Sequence, residues 1–283
     1  MRARWKQAGL ILLSACTVAI AFAAYLKLLG VIGNRSAFLG YAGMGIICLA
    51  AYLAAVRWIE RRVPTELSPR HALPAFAAGS VAGIALFSLV IAVLLVAGVY
   101  RPQEWIGFDG IGFAFLFWLA VAVQEEILYR GLLFRLCSRI VGTWGALLLS
   151  AVVFGASHAI NPGATLVGLL STALAGILLG AAYALTGRLW LPIGFHTGWN
   201  FAQGSVFGLS VSGNDRGSGL IAATLEGPDI LTGGRFGPEA SIVAVIIVLA
   251  SAAFLLWRIA ELRRAEPPIW SDVEGAAATD TAS

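Results

Sequence analysis

About eight stretches of this chain are apolar and long enough to cross a bilayer as helices, and few charges interrupt them. A transmembrane helix needs roughly 20 mainly apolar residues. The stretches are 8–29, 38–56, 75–99, 111–133, 144–160, 165–185, 189–207 and 240–257. We therefore predict an all-α protein, a polytopic membrane helix bundle with about eight transmembrane helices.

The amino-acid composition supports a bilayer as the surroundings of this chain. Hydrophobic residues make up 59% of it and charged residues only 12%, with a mean hydropathy of +0.85. Ordinary soluble domains carry roughly 25% charged residues, so this composition argues against a water-soluble enzyme. The net charge of +4 does not indicate a nucleic-acid partner, because the basic residues lie at segment ends, where they orient a membrane protein.

The membrane bundle is expected to span residues 1–264, followed by a disordered polar tail at 265–283. The Gly-rich stretch 208–238 is predicted to be an ordered loop or a re-entrant segment. The N-terminal MRARWKQ and its apolar run resemble a signal peptide. The run continues as TVAIAFAAYL after Cys16, and we interpret it as a retained span.

Basic residues are distributed unequally between the two sides that the eight predicted spans would define. The strongly basic side would carry Arg2, Arg4, Lys6, Arg57, Arg61, Arg62, Arg70, Arg135, Arg139, Arg188, Arg258, Arg263 and Arg264, and the weakly basic side Lys27, Arg35, Arg101, Arg216 and Arg235. Cytoplasmic loops are enriched in Lys and Arg. We predict a multi-pass protein of the cell membrane with both termini in the cytoplasm.

Six polar residues interrupt three of the apolar segments, in the sequences QEEILYR, FGASH and HTGWN. Ionisable groups at bilayer depth are costly and usually face the bundle interior, where they mark a functional site. The six residues are Glu125, Glu126, Arg130, His158, His196 and Asn200. Helical rise, counted from the ends of their segments, places Glu125, both histidines and Asn200 about 12–22 Å deep, so they can meet at one point.

The spacing of these residues indicates which of them share a helix face. Glu126 and Arg130 are four apart and are predicted to pair, whereas Glu125 lies about 100° around the helix and faces elsewhere. His196 and Asn200 share a face, and so do Phe154 and His158. Taken alone, each pair is also explained by a structural role, as a packing clamp or an interhelical polar contact.

Together, the motifs Glu-Glu-x-x-x-Arg, Phe-x-x-x-His and His-x-x-x-Asn resemble those of the CAAX prenyl endopeptidase family and its bacterial relatives, the CPBP or Abi family. All three are intact and in order, and the resemblance covers residues 113–207. It implies an intramembrane glutamate-dependent endopeptidase that acts on membrane proteins or peptides, whose prenylation stays open. It also implies a site without metal or other cofactor.

The resemblance assigns the roles residue by residue. Glu125 would activate the attacking water with help from His158, while His196 and Asn200 would hold the oxyanion. Glu126, Arg130 and Phe154 would be supporting residues. We expect the four catalytic residues to line one water-accessible cavity, open toward the strongly basic side or laterally between helices. The oligomeric state stays open.

Three other kinds of protein are compatible with the same residues. Two histidines and two glutamates could ligate zinc, although no His-Glu-x-x-His motif is present. A transporter could use them as a proton or ion relay, although no internal repeat is visible. A non-catalytic scaffold or immunity-type membrane protein is the third alternative. Sensitivity to chelators separates the first of these from a metal-free protease.

Overall fold

The computed structural model describes residues 2–32, 37–214 and 219–265, which form a bundle of long helices. The helices are α1 (Arg2–Ile32), α2 (Ala37–Trp58), α3 (Ala72–Val96), α4 (Ile111–Glu126), α5 (Arg135–Ser157), α6 (Leu166–Thr186), α7 (Trp190–Phe201), α8 (Asp229–Thr232) and α9 (Ile242–Ala265). π-Helical turns, Ile127–Phe134 and Ala202–Val206, follow α4 and α7. Of the predicted disordered tail, 265–283, residue 265 is described as the end of α9, and the remainder lies outside the described residues.

Five of the described helical stretches are long and apolar enough to cross a membrane, as expected of a multi-pass protein. They are Trp5–Leu28, Ala72–Val96, Ile111–Ile160, Leu166–Thr186 and Ile242–Leu262. The all-α class is therefore confirmed in outline, but the count of about eight transmembrane helices is not. A shorter apolar helix, Gly43–Trp58, accompanies them.

The third of these stretches contains two of the predicted spans. Its 50 residues would measure about 75 Å if straight, more than twice the roughly 30 Å of a hydrocarbon core. The backbone leaves helical geometry at Gly142, with φ 77° and ψ 176°. This left-handed φ suits glycine, which lacks a Cβ, so the chain can turn there.

A small antiparallel sheet, which the all-α prediction missed, joins two connections. Strand β1 (Tyr100–Trp105) pairs with β2 (Ile221–Leu225), and the register shifts between Pro102 and Glu104. Proline has no N–H for a ladder and is tolerated at such irregularities. Strand β2 and helix α8 lie within the stretch 208–238, so the described part of that stretch is ordered.

Helices α3 and α7 approach closely because four glycines face each other across their contact. A Cβ on Gly79 or Gly83 would overlap backbone atoms of α7, and a Cβ on Gly194 or Gly198 would overlap backbone atoms of α3. Small residues four apart allow membrane helices to pack at backbone distance. This packing fixes the position of α7, which carries two of the predicted site residues.

A network of charged side chains joins the connections of the strongly basic side. The Arg62 guanidinium donates to Glu60 at 2.8 Å and to both carboxylate oxygens of Glu66, and Arg135 donates to Glu60. Tyr52 donates to Glu66. Burial alone would raise the pKa of Glu60 and Glu66, but the hydrogen bonds and charges of Arg135 and Arg62 outweigh it and hold both pKa values below the ordinary one.

Candidate active site

A cavity of about 480 Å³ lies between α4, α5, α6 and α7. Its wall includes Glu125, His158, His196 and Asn200, so the packing of three separate segments brings together the four residues that were predicted to converge. Most of the remaining wall is apolar. A few polar groups that converge in an apolar pocket are typical of a binding or catalytic site.

Glu126 and Arg130 form the ion pair that their spacing predicts. Arg130 Nη1 donates to Glu126 Oε1 at 2.8 Å, and both side chains are fully buried. Arg130 Nη2 also donates to the carbonyl of Gly176 at 3.0 Å, and its guanidinium lies 4.6 Å from the centre of the Phe154 ring. These contacts tie α4 to α5 and α6 directly behind the cavity wall.

The imidazole of His196 lies between two carboxylates. Its Nδ1 is 2.9 Å from Glu126 Oε1, and its Nε2 is 3.8 Å from Glu125 Oε2. An ionised carboxylate only accepts hydrogen bonds, so the ring proton lies on Nδ1, which donates a hydrogen bond to Glu126. Glu126 therefore orients the ring and leaves Nε2 facing Glu125, much as a carboxylate orients a catalytic histidine.

Glu125 differs from Glu126 in its exposure and partners. The side chain of Glu125 is 22% exposed, whereas that of Glu126 is fully buried. Glu125 Oε2 is itself buried, and no described group donates a hydrogen bond to it. As predicted, Glu125 is not part of the Glu126–Arg130 ion pair. The two carboxylates nevertheless meet at the ring of His196, a contact that helix spacing alone did not predict.

His158 lies just beyond the end of α5, in the short 3-10 turn His158–Ile160. Its Nδ1 is 2.8 Å from the carbonyl oxygen of Phe154 and 3.3 Å from Ser157 Oγ. Because a carbonyl accepts, Nδ1 donates to it, and Nε2 keeps its lone pair whenever the ring is neutral. The Phe154 ring packs edge-on against the His158 ring, with centroids 4.9 Å apart. The two side chains therefore lie on one face, as predicted.

Asn200 follows His196 by one helical turn on α7 and is 7% exposed. The π-helical turn Ala202–Val206 begins two residues later. π-Bulges are frequent at functional sites, and a second one, Ile127–Phe134, directly follows the two glutamates. Both irregular turns therefore flank the segments that carry the predicted catalytic residues.

A second carboxylate in the cavity wall, besides that of Glu125, was missed by the sequence analysis. Glu239 lies in the turn before α9 and accepts a hydrogen bond from the backbone N–H of Ser212, and its own carbonyl accepts one from Ser171 at 2.6 Å. Burial raises its pKa, partly offset by the Ser212 hydrogen bonds and by the charges of His158 and His196. Candidate residues were chosen because they interrupt apolar segments. Glu239 lies outside those segments, so this criterion did not select it.

The cavity does not reach the connections of the strongly basic side. Its wall includes Asn161, Ser212 and Asn214 from the opposite connections, whereas no described residue of 57–71, 134–143 or 186–190 lines it. The lining therefore gives no support to the expected opening toward the strongly basic side, which stays a prediction. Phe22 and Met44 also contribute to the wall, which is compatible with the lateral alternative.

Within the described ranges, no group of three or more His, Cys, Asp or Glu side chains could hold a metal ion. The site offers a histidine between two carboxylates, of which Glu126 is already paired with Arg130. That the site works without a metal or another cofactor stays a prediction, and chelators would test the part that concerns a metal.

Residues 106–202 match the family model described as Rce1-like, type II CAAX prenyl endopeptidase. The match includes all three motifs and confirms the resemblance inferred from them, over about a third of the chain. It supports a membrane peptidase of the CAAX protease type. Neither the search of curated proteins nor the search of solved structures finds a significant match.

Proposed function

We propose that the protein is an intramembrane glutamate-dependent endopeptidase that hydrolyses peptide bonds in membrane-associated peptides or proteins. The observation that carries this proposal is the shared cavity of Glu125, His158, His196 and Asn200. Acid–base groups and polarised donors around one shared cavity are what amide hydrolysis requires. A structural clamp would not need four polar residues from three segments to face a cavity.

In the proposed first step, Glu125 takes a proton from a water molecule as the water oxygen attacks the scissile carbonyl carbon. Its unpartnered Oε2 has a free lone pair for this proton. Nε2 of His158 would accept the second hydrogen of the same water and orient it. Glu125 would then pass its proton to the leaving amine as the C–N bond breaks.

His196 and Asn200 would stabilise the negative charge that develops on the carbonyl oxygen. The Asn200 amide can donate without any proton transfer, and it is a poor metal ligand. A protonated His196 ring would donate at both nitrogens, through Nδ1 to Glu126 and through Nε2 into the cavity. Glu126 therefore acts as a positioning residue, and Arg130 balances its charge.

The membrane arrangement that accompanies this proposal is a bundle of about eight spans with both termini in the cytoplasm. The non-helical backbone at Gly142 would divide the longest apolar stretch into two spans, and α2 and α7 would supply the other two beyond the five long stretches. The lipid bilayer and a membrane-tethered substrate are then the partners.

The proposal is tested by cleavage of a membrane-tethered peptide with purified protein. Asn200→Ala should lower kcat about 10²–10³-fold with little change in KM, because an oxyanion donor acts mainly in the transition state. Gln103→Ala, an amide variant on the exposed strand β1 and outside the cavity wall, is the matched control and should stay close to wild type. Chelators should leave the wild-type rate unchanged. Wild-type protein that cleaves no peptide, or activity that depends on zinc, would contradict the proposal.

A further inference from the structure

We propose that Glu239 and its polar neighbours form a subsite for an ammonium group of the substrate. The enzyme would then prefer peptides that carry a lysine side chain or a free amino terminus near the scissile bond. This preference rests on the proposed function and concerns the substrate of the same cavity. Its central residue, Glu239, lies outside the stretch 106–202 that matches the family model.

Three side chains with hydrogen-bond acceptors surround Ser212 in the cavity wall. The Ser212 N–H donates to Glu239, and the Ser212 carbonyl accepts from the amide nitrogens of Asn161 at 2.7 Å and Asn214 at 3.4 Å. All four residues line the cavity. The amide oxygens form no hydrogen bond within the described ranges, and a carboxylate accepts about four. An ammonium group has three N–H donors and no acceptor, so it matches this set of acceptors.

The charges around the cavity leave Glu239 without a balancing cation. Arg130 balances Glu126 behind the wall, and in the proposed mechanism a protonated His196 faces Glu125 across 3.8 Å. In the part of the chain that the structure describes, no Lys or Arg side chain lines the cavity. A buried charge without a partner is costly, so this wall favours a ligand that brings a positive charge.

The ionisation of Glu239 also depends on what binds beside it. Burial raises the pKa of its carboxyl, partly offset by the Ser212 hydrogen bonds and by the charges of His158 and His196. An opposite charge within about 4–6 Å lowers the pKa of a carboxyl group. A bound ammonium group would therefore stabilise the ionised form, whereas a neutral side chain would not.

The backbone that carries Glu239 is held firmly in place. The residue lies in the 3-10 turn Pro238–Ala240, directly before α9. Its carbonyl accepts from Ser171 Oγ on α6 at 2.6 Å, and a Cβ on Gly237 would lie only 2.3 Å from the carbonyl oxygen of Ser210. Groups that are already ordered lose little entropy when a ligand binds, so the subsite is preorganised.

Paired peptides test the subsite. At one position near the scissile bond, each pair has either lysine or norleucine, which keeps the four-carbon chain but lacks the ammonium group. This position is moved along an acetylated, membrane-tethered peptide, and one further pair differs only in a free or acetylated amino terminus. For at least one pair, the wild-type kcat/KM should be about tenfold or more higher for the ammonium peptide, as expected for a charge-assisted hydrogen bond.

Glu239→Gln should reduce this ratio to nearly one, because the amide keeps an acceptor for Ser212 but has no charge. The ratio compares two substrates of one protein, so a general loss of activity leaves it unchanged. Asn214→Leu removes one acceptor and should lower the ratio in part; it replaces Glu239→Gln if that variant does not fold. Glu104→Gln, on exposed β1, is the matched control and should keep the wild-type ratio.

A wild-type ratio near one for every pair would overturn the subsite, as would a preference that persists in Glu239→Gln or, in its place, stays complete in Asn214→Leu. A preference for the free amino terminus alone would support the subsite and identify the terminus as its ligand. Binding of the same peptides, labelled with a fluorophore, is measured by anisotropy alongside cleavage. A binding preference that depends on Glu239, without cleavage, would contradict the proposed function and leave the subsite standing.

Discussion

Replacement of Arg130 by methionine should strongly destabilise the protein. Methionine keeps most of the side-chain volume but removes the charge and both hydrogen bonds, to Glu126 at 2.8 Å and to Gly176 at 3.0 Å. Hydrogen bonds of charged groups contribute about 1.5–3 kcal/mol each. Breaking a buried ion pair by removing one partner costs about 3–5 kcal/mol, because the other charge stays buried without compensation. We expect a loss of about 3–5 kcal/mol in the free energy of unfolding.

The measurement is an unfolding titration with SDS in mixed micelles, which compares variants under one condition. Arg101→Met is the matched control, because Arg101 pairs with Glu226 at 3.0 Å while both side chains are more than half exposed. Exposed pairs contribute about 0–1 kcal/mol. The same chemical change should therefore have a large effect at Arg130 and a small one at Arg101.

A double-mutant cycle isolates the ion pair from the rest of the site. Glu126→Gln removes the charge that Arg130 balances, so the double variant Glu126→Gln/Arg130→Met should be less destabilised than the sum of the single variants. A coupling energy of about 0.5–3 kcal/mol is typical of contacting residues. Arg130→Met protein as stable as wild type, or strictly additive effects, would refute the buried-pair reasoning.

Two further predictions concern packing and pH. Gly198→Ala places a Cβ against the backbone of Ser80 and should lower the free energy of unfolding by about 1–3 kcal/mol, whereas Gly112→Ala, with open space around it, should be neutral or slightly stabilising in the same titration. The raised pKa of Glu239 means that its contribution to stability is present at acidic pH and lost as pH rises through that pKa. Glu239→Gln keeps an acceptor for Ser212, so it should be more stable than wild type near pH 8, and the difference should shrink toward pH 4. A constant difference across this range would contradict the assignment.

Local spacing and depth were enough to predict the parts of the site that depend on single helices. The Glu126–Arg130 pair follows from a separation of four residues, and the common face of Phe154 and His158 follows from the same rule. Polar groups are costly in lipid and usually face the bundle interior, and this rule identified the residues that line the cavity. These predictions needed no knowledge of which helix packs against which.

The remaining features depend on packing between segments that are distant in the chain. His196 meets both glutamates only because α7 packs against α4, and Glu239 reaches the cavity only because its connection folds back over the site. The sheet of β1 and β2 joins two connections separated by more than a hundred residues, and β1 contains Pro102, which weakens any strand signal. Counting spans and charges likewise led us to expect an opening toward the strongly basic side or laterally, and the connections of that side are not part of the cavity wall.

The most direct test of the central claim is the cleavage rate of Glu125→Gln on a membrane-tethered peptide. Glutamine keeps the shape of the side chain but cannot take a proton from water. General-base catalysis contributes about 10²–10⁴-fold, so the variant should lose at least that much activity. It should still unfold like wild type, because Glu125 lies outside the Glu126–Arg130 ion pair. Glu104→Gln, the same change on exposed β1, should stay fully active. Full activity of a folded Glu125→Gln protein would contradict the assignment of Glu125 as the catalytic base.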